Sequence, residues 1–166
     1  MNLYFMRHGI AVDRADSGSG DRERQLTSKG IKRMGKAAKG LTALSLTFDR
    51  ILTSPLERAR QTAKIVAQTL QLENRVEEVE QLSPEQSAQD LLRALVPYSD
   101  QKQILLVGHE PQLSNTISVL LSGTAGAEIR LKKGALCCLE VDGLPPKKNG
   151  VLHWALAPKH LRQMAR

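Results

Sequence analysis

In three short segments, Arg7-His8-Gly9, Ser54-Pro55-Leu56-Glu57-Arg58 and Gly108-His109-Glu110-Pro111, histidine or arginine stands beside glycine or proline. Guanidinium groups chelate phosphate oxygens in bidentate fashion. Phosphoryl transfer spreads negative charge over equatorial oxygens, so a protein that catalyses it mainly supplies donors and positioning. A neutral imidazole beside those guanidiniums is a candidate nucleophile, because the nearby positive charges disfavour its protonated form. Arg7, His8, Arg58 and His109 are therefore the candidate catalytic residues, and Gly9 and Gly108 permit close backbone approach. Each motif is weak by itself, since Arg-His-Gly arises by chance in a chain this long on the order of one time in a hundred.

Their placement strengthens the case. Asn2–Arg7 reads as a first strand, with Leu3 and Phe5 on one face and Tyr4 and Met6 on the other. A polar stretch from Asp13 through Ser17-Gly18-Ser19-Gly20 to Arg24 reads as a mobile loop. Thr27 and Ser28 cap a helix reaching about Leu44, which Gly30, Gly35 and Gly40 weaken. Arg50–Thr53 is a short strand. Ser54 is then expected as N-cap, with Pro55 at the first position of a helix whose apolar stripe is Leu56, Ala59, Ala63, Val66 and Leu70. Arg58 falls on its first turn, at an end that favours anions.

Val76–Val79 suits a strand, and Pro84 is expected to start a helix ending before Pro97. Gln103–Gly108 is a continuous apolar run of the kind buried in a parallel sheet. Pro111 opens a helix with Leu113, Ile117 and Leu120 inward, and Ala135–Val141 and Val151–Leu156 read as two antiparallel strands. Strands alternating with helices give an α/β fold, a three-layer α/β/α sandwich around a mostly parallel central sheet. Residues 1–166 suit a single domain. The three motifs follow strand ends, where ligands bind in such sheets.

Composition narrows the surroundings. Lys and Arg number 24 against 17 Asp and Glu, a net charge of +7 that suits nucleic acid, a membrane surface, or an acidic or phosphorylated partner, with plain solvated surface as the default reading. Aromatics at 3% argue against a nucleic-acid platform. No apolar run is long enough to span a bilayer and the N-terminus lacks a secretory pattern, so no membrane association and a cytoplasmic location are expected. Adjacent Cys137 and Cys138 would point to opposite faces of a strand and serve as small apolar fillers.

Taken with Arg58-Ala59-Arg60-Gln61-Thr62-Ala63, the three motifs resemble the histidine phosphatase superfamily, which includes phosphoglycerate mutases and acid phosphatases. Arg24-Gln25-Leu26-Thr27-Ser28-Lys29-Gly30, Lys133-Gly134-Ala135 and Pro158-Lys159-His160-Leu161 are similar to its branch of small bacterial phosphohistidine phosphatases, the SixA type. The resemblance implies a phosphoglycerate mutase-like fold, with His8 as a transiently phosphorylated nucleophile. It makes Arg7, Arg58 and His109 ligands of the phosphoryl oxygens, together with Gly9 and, as a further member, Arg24. It implies no metal and no cofactor, and a partner such as the histidine phosphotransfer domain of a signalling relay.

Larger members carry a carboxylic acid on an inserted segment to protonate the leaving group. Here the stretch from Thr62 to Gln103 is short and offers Glu77, Glu78, Glu80 and Glu85 as candidates. A missing acid matters less for a P–N bond, because imidazole departs as a neutral nitrogen.

Competing readings are a small-molecule phosphomonoesterase or mutase, a metal phosphatase using His8, His109 and Asp13, Asp16 or Asp21, and a non-catalytic phosphoprotein-binding module. Arginines at the strand ends repel a cation, and a binding module has no need of a histidine aimed at phosphorus. His153 and His160 fall outside the motifs and are assigned to structure or surface. The basic C-terminal portion, with Lys132, Lys133, Lys147, Lys148, Lys159, Arg162 and Arg166, is a candidate docking face.

Overall fold

A computed structural model describes residues 1–14 and 20–165; Asp16, Ser17-Gly18-Ser19 and Arg166 lie outside the described residues. Six strands form one sheet: β1 (Asn2–Arg7), β2 (Arg50–Thr53), β3 (Val76–Glu78), β4 (Gln103–Gly108), β5 (Leu136–Glu140) and β6 (Val151–Leu156). Their spatial order is β3-β2-β4-β1-β5-β6. The first four are mutually parallel, and β5 is antiparallel to both β1 and β6. The helices are α1 (Ser28–Ala43), α2 (Glu57–Leu70), α3 (Ala88–Ala94), α4 (Gln112–Ser122) and α5 (Pro158–Met164).

Alternation along the strands builds two cores. Tyr4 and Met6 of β1 and Leu105 and Val107 of β4 pack under α1, α2 and α5, with Met34, Leu41, Ala63, Val66 and Leu161. Leu3, Phe5, Ile104 and Leu106 face the other side, beneath Leu91 of α3 and Leu113 and Ile117 of α4. Period-two strands buried on both faces produce this three-layer arrangement. Cys137 joins one core and Cys138 the other, both unpaired and buried, as fillers on opposite faces would be.

Two glycines that weaken α1 in sequence terms are required by packing. A Cβ on Gly30 would overlap the Ile10 carbonyl, and one on Gly40 would overlap the Leu161 carbonyl of α5. The helix therefore gives up propensity for a close approach to its neighbours. Thr27 caps it as expected, its hydroxyl accepting from Gly30 N–H at 3.0 Å.

Two helix starts differ from the sequence expectation. The third helix begins at Ala88, not Pro84, because Ser87 is its N-cap and accepts from Asp90 N–H at 3.1 Å. Pro97 then sits within a 3-10 turn, Val96–Tyr98. The second begins at Glu57, and Ser54 does not cap it. Ser54 instead prolongs the β2–β4 ladder, its N–H donating to Val107 O at 3.0 Å.

Candidate active site

Sheet register brings the motifs level. Arg7 pairs with Gly108 and Thr53 with Val107, so β1, β2 and β4 end together. Beyond those ends stand His8, Ser54 and His109, with Arg58 arriving from the first turn of α2. His8 N–H donates to Gly108 O at 3.1 Å, which ties the two histidine segments together. The imidazole rings lie 5.0 Å apart, centre to centre. Arg7, His8, Arg24, Arg58 and His109 line one pocket of about 270 Å³ with Asp21, Glu110 and Lys133. Gly9 lies just behind it, its N–H donating to Thr62 Oγ1 at 3.0 Å.

His8 is buried, and its Nδ1 lies 2.7 Å from Gly9 O. A carbonyl oxygen only accepts, so Nδ1 carries the hydrogen and Nε2 keeps its lone pair. Burial pushes the imidazole pKa down to about 2, helped by His109, Arg58 and Arg7 and opposed by the bond to Gly9. The ring is thus neutral at physiological pH, with one nitrogen free to attack.

His109 Nε2 stands 2.9 Å from Ser54 Oγ, which also accepts from Leu56 N–H at 3.2 Å. Where the Ser54 hydroxyl donates to His109 Nε2, the hydrogen of His109 sits on Nδ1. Burial and then the Arg58 charge push His109 down to about 3, so it too is neutral. His109 Nδ1 and the Nε atoms of Arg7 and Arg58 are buried without a protein partner among the described residues. In that tautomer the three are donors lacking an acceptor, carried by residues that line one pocket, a set that suits an oxyanion.

The arginines are held by backbone and by Asp21. Arg7 Nη1 donates to Leu131 O at 2.9 Å, and Arg24 Nε to Val12 O at 2.8 Å. Arg58 donates to Asp21 O at 2.7 Å and to Asp21 Oδ2 at 3.1 Å, while Arg24 reaches Oδ1 at 2.8 Å. Burial raises the Asp21 pKa, but the bonds from Arg24, Arg58 and Arg14 outweigh it and hold the carboxyl well below the usual range. Asp21 is a fixed anion braced among guanidiniums. That use removes it from a metal site; among the described residues no group of three or more metal-ligating side chains is clustered.

Several site residues escaped the sequence reading. Thr62, fully buried, accepts from Gly9 N–H and donates to Arg58 O at 2.7 Å, so one hydroxyl joins the His8 loop to the Arg58 turn. Gln61 beside it accepts from Leu26 N–H at 2.7 Å and holds the Arg24 segment. Both lie within the quoted motif, which is the signal that could have found them. Glu110 lines the pocket, and its Oε1 accepts from Ser114 N–H at 3.2 Å. Lys133 enters through the turn Lys132–Ala135, whose Gly134 takes a φ of +81° and donates to Arg7 O at 2.9 Å.

Other expected residues lie elsewhere. Glu77 accepts from the Tyr98 hydroxyl at 2.6 Å, Glu78 pairs with Arg60 at 2.9 Å, and Glu80 pairs with Arg22 at 3.3 Å. These three and Glu85 are exposed, and none lines the His8 pocket. The amides at the start of α2 are partly engaged, Leu56 by Ser54 Oγ and Glu57 by Arg22 O, so the side chains supply most of the site's donors. His153 is exposed and bonded to Glu140 at 2.8 Å. The basic docking face divides. Lys133 lines the site and Lys132 precedes it on the same turn, whereas Lys147 and Lys148 lie on the loop after β5, which leaves the sheet beside Asn2 at the opposite end. No helix of the described residues is long and apolar enough to cross a membrane.

An α/β/α sandwich with histidines and arginines gathered at the carboxyl ends of its parallel strands defines a class of phosphoryl-handling enzymes. The chain belongs to the histidine phosphatase superfamily, whose branch 1 model matches residues 3–83, and it is a phosphatase of that superfamily. A phosphohistidine phosphatase SixA homolog of Haemophilus influenzae is 34% identical over 129 residues, covering 72% of this chain and 77% of the relative. An uncharacterised protein of Picosynechococcus is 41% identical over 138 residues, 82% of each chain. In fold, the chain matches a protein histidine phosphatase SixA solved with tungstate, at a TM-score of 0.85 and 24% identity over 97% of this chain and 99% of that one.

Proposed function

We propose that this chain, acting as one domain over residues 1–166, hydrolyses phosphohistidine on a protein through a covalent intermediate on His8. The observation that carries the reading is the 2.7 Å bond from His8 Nδ1 to Gly9 O, which fixes the tautomer and leaves Nε2 as nucleophile. Nε2 attacks phosphorus as the substrate P–N bond breaks, and the substrate imidazole departs with the electron pair of that bond. If its second nitrogen is protonated it leaves as a neutral ring, so no acid is required. Arg7, Arg24, Arg58 and His109 Nδ1–H hold the phosphoryl oxygens, with the Gly9 backbone closing the site beside them. Water then attacks the His8 phosphoryl, Nε2 recovers its lone pair, and inorganic phosphate leaves.

The carboxylates support a P–N substrate. Asp21 is held ionised by its arginines and is a poor proton donor. The relative named as a phosphohistidine phosphatase points the same way. A cytoplasmic histidine phosphotransfer domain of a signalling relay is the proposed substrate, and the chemistry needs no metal or organic cofactor. One observation favours a second reading: Glu110 lines the pocket, where a carboxyl would serve a phosphomonoesterase.

The test compares turnover of a phosphohistidine protein, N-phosphoimidazole, p-nitrophenyl phosphate and sugar phosphates by wild type and His8→Ala. Preference for the P–N substrates, a trapped phosphoryl group on His8 and loss of turnover in the variant are expected. Near-normal turnover by His8→Ala would overturn the mechanism, and preference for the esters would favour the second reading.

A further inference from the structure

Beside the site runs a groove with no part in the chemistry above. It lies between α1 and α5, has a volume of about 230 Å³, and is floored by Met34, Ala37 and Pro158. Its walls carry Arg33, Lys132, Lys133, Lys159 and Arg162, and no acidic residue lines it. Among the described residues none of these five side chains is in a hydrogen bond or ion pair. Elsewhere on this surface several arginines find partners, Arg22 with Glu80, Arg60 with Glu57 and Glu78, and Arg93 with Asp90; what sets the groove apart is that five cations line it together with no carboxylate among them. Five cations left facing one apolar-floored cleft repel one another, an arrangement that an external anion relieves.

The groove borders the active site. Gly9, adjacent to His8, lies in it, and Lys133 lines both the groove and the His8 pocket. The topology explains why. The end of β6 pairs with the start of β5, beside the end of β1, so α5 sets out from the same sheet end as His8. Its Lys159 and Arg162 then face Arg33 across the cleft. A chain bound here would present a side chain at its end to His8.

We propose that this groove docks an acidic segment of the protein substrate, next to the phosphorylated histidine. The proposal rests on the phosphohistidine reading and adds a recognition surface to it. Charge complementarity identifies the segment as rich in Asp and Glu, and the apolar floor suits an aliphatic side chain among them. Such contacts act mainly on encounter and orientation, so they belong to kcat/KM on a protein or peptide and not to the chemical step.

The test uses two chemically phosphorylated histidine peptides of equal length, one with flanking Glu and Asp, one with Gln and Ser, and N-phosphoimidazole. The groove variant is R33E/K159E/R162E, and the control is K147E/K148E at the far end of the sheet. Wild type should favour the acidic peptide by roughly tenfold at low ionic strength, the scale of a few solvent-facing ion pairs, and lose this preference as salt rises. The groove variant should lose the preference and keep N-phosphoimidazole turnover, while the control keeps both. Equal handling of the peptides by wild type, or an undiminished preference in the groove variant, overturns the docking proposal. So does parallel loss on N-phosphoimidazole, which would show damage to the site itself.

A binding arm answers separately, by fluorescence anisotropy with the unphosphorylated acidic peptide. If wild type cleaves no P–N substrate but binds this peptide through the groove, the phosphohistidine reading fails while the acidic-segment site stands. Tighter binding of a single-stranded oligonucleotide, lost equally in the groove variant, would assign the groove to nucleic acid and overturn the proposal.

Discussion

Lowering the pH should destabilise this protein well before its carboxylates are protonated, and the two site histidines set the size of the effect. In the unfolded chain each titrates near 6.5. In the folded chain His8 is pushed down to about 2 and His109 to about 3, so neither takes up a proton until far lower pH. Between these values the unfolded state binds more protons than the native state, so stability rises with pH and falls as pH drops through 6.5. From about pH 7 to about pH 5.5 the linkage amounts to ~1.3 kcal/mol per histidine, or roughly 2.5 kcal/mol for the pair. For a chain of this size that is a melting-temperature loss of roughly 5–10 °C. Urea unfolding at both pH values, on wild type and on the H8N/H109N variant, isolates the contribution. The wild-type loss should exceed that of the variant by about the computed linkage. An unchanged wild-type midpoint, or an equal loss in the variant, would refute the assignment of neutral, desolvated histidines.

Three further outcomes follow from the same geometry. Thr62→Val keeps the shape but leaves Gly9 N–H buried without its acceptor, so unfolding free energy should fall by about 1–3 kcal/mol and kcat should drop with it; unchanged values in denaturant titration and turnover would remove Thr62 from its bridging role. Ser54→Ala frees His109 Nε2 and should lower kcat about tenfold or more with KM little changed, as expected for a donor oriented for the transition state; an effect confined to KM would contradict that tautomer assignment. Asp21→Asn removes the anion that competes for Arg58 and Arg24, so inhibition by vanadate or inorganic phosphate should tighten several-fold, on the order of 1 kcal/mol; weakened inhibition would make Asp21 chiefly a brace.

The sheet and its loaded strand ends were readable because they rest on local signals: period-two alternation in β1, a continuous apolar run in β4, and arginine and histidine immediately after them. What was not readable depends on distances through space. Ser54 looks like a helix cap in sequence, and only the β2–β4 register shows that it still follows the sheet and meets His109. Thr62 lies in the apolar stripe region of α2, and its role appears only where α2 passes the His8 loop. The candidate glutamates Glu77, Glu78, Glu80 and Glu85 fall in the short stretch between Thr62 and Gln103, yet none of them lines the pocket, which Asp21 and Glu110 border. Lys147 and Lys148 shared a basic stretch with Lys132 and Lys133, but β5 carries them to opposite ends of the sheet.

These details bear on how the pocket manages its own charge. Arg7, Arg24, Arg58 and Lys133 line the pocket of two neutral imidazoles, and the charges of Arg58 and Arg7 add to burial in keeping His8 unprotonated. The same charges would repel one another without an anion between them, and Asp21 supplies it, accepting from Arg58 and Arg24 at once. A phosphoryl group entering the pocket would compete with Asp21 for Arg24 and Arg58, while Arg7 makes no bond to that carboxylate. In the proposed reaction, Arg7, Arg58 and His109 would act on the equatorial oxygens, over which the transition state spreads its negative charge. On the docking proposal, the basic groove between α1 and α5 would supply affinity from outside the pocket, leaving the arginines within it to act on the phosphoryl group itself.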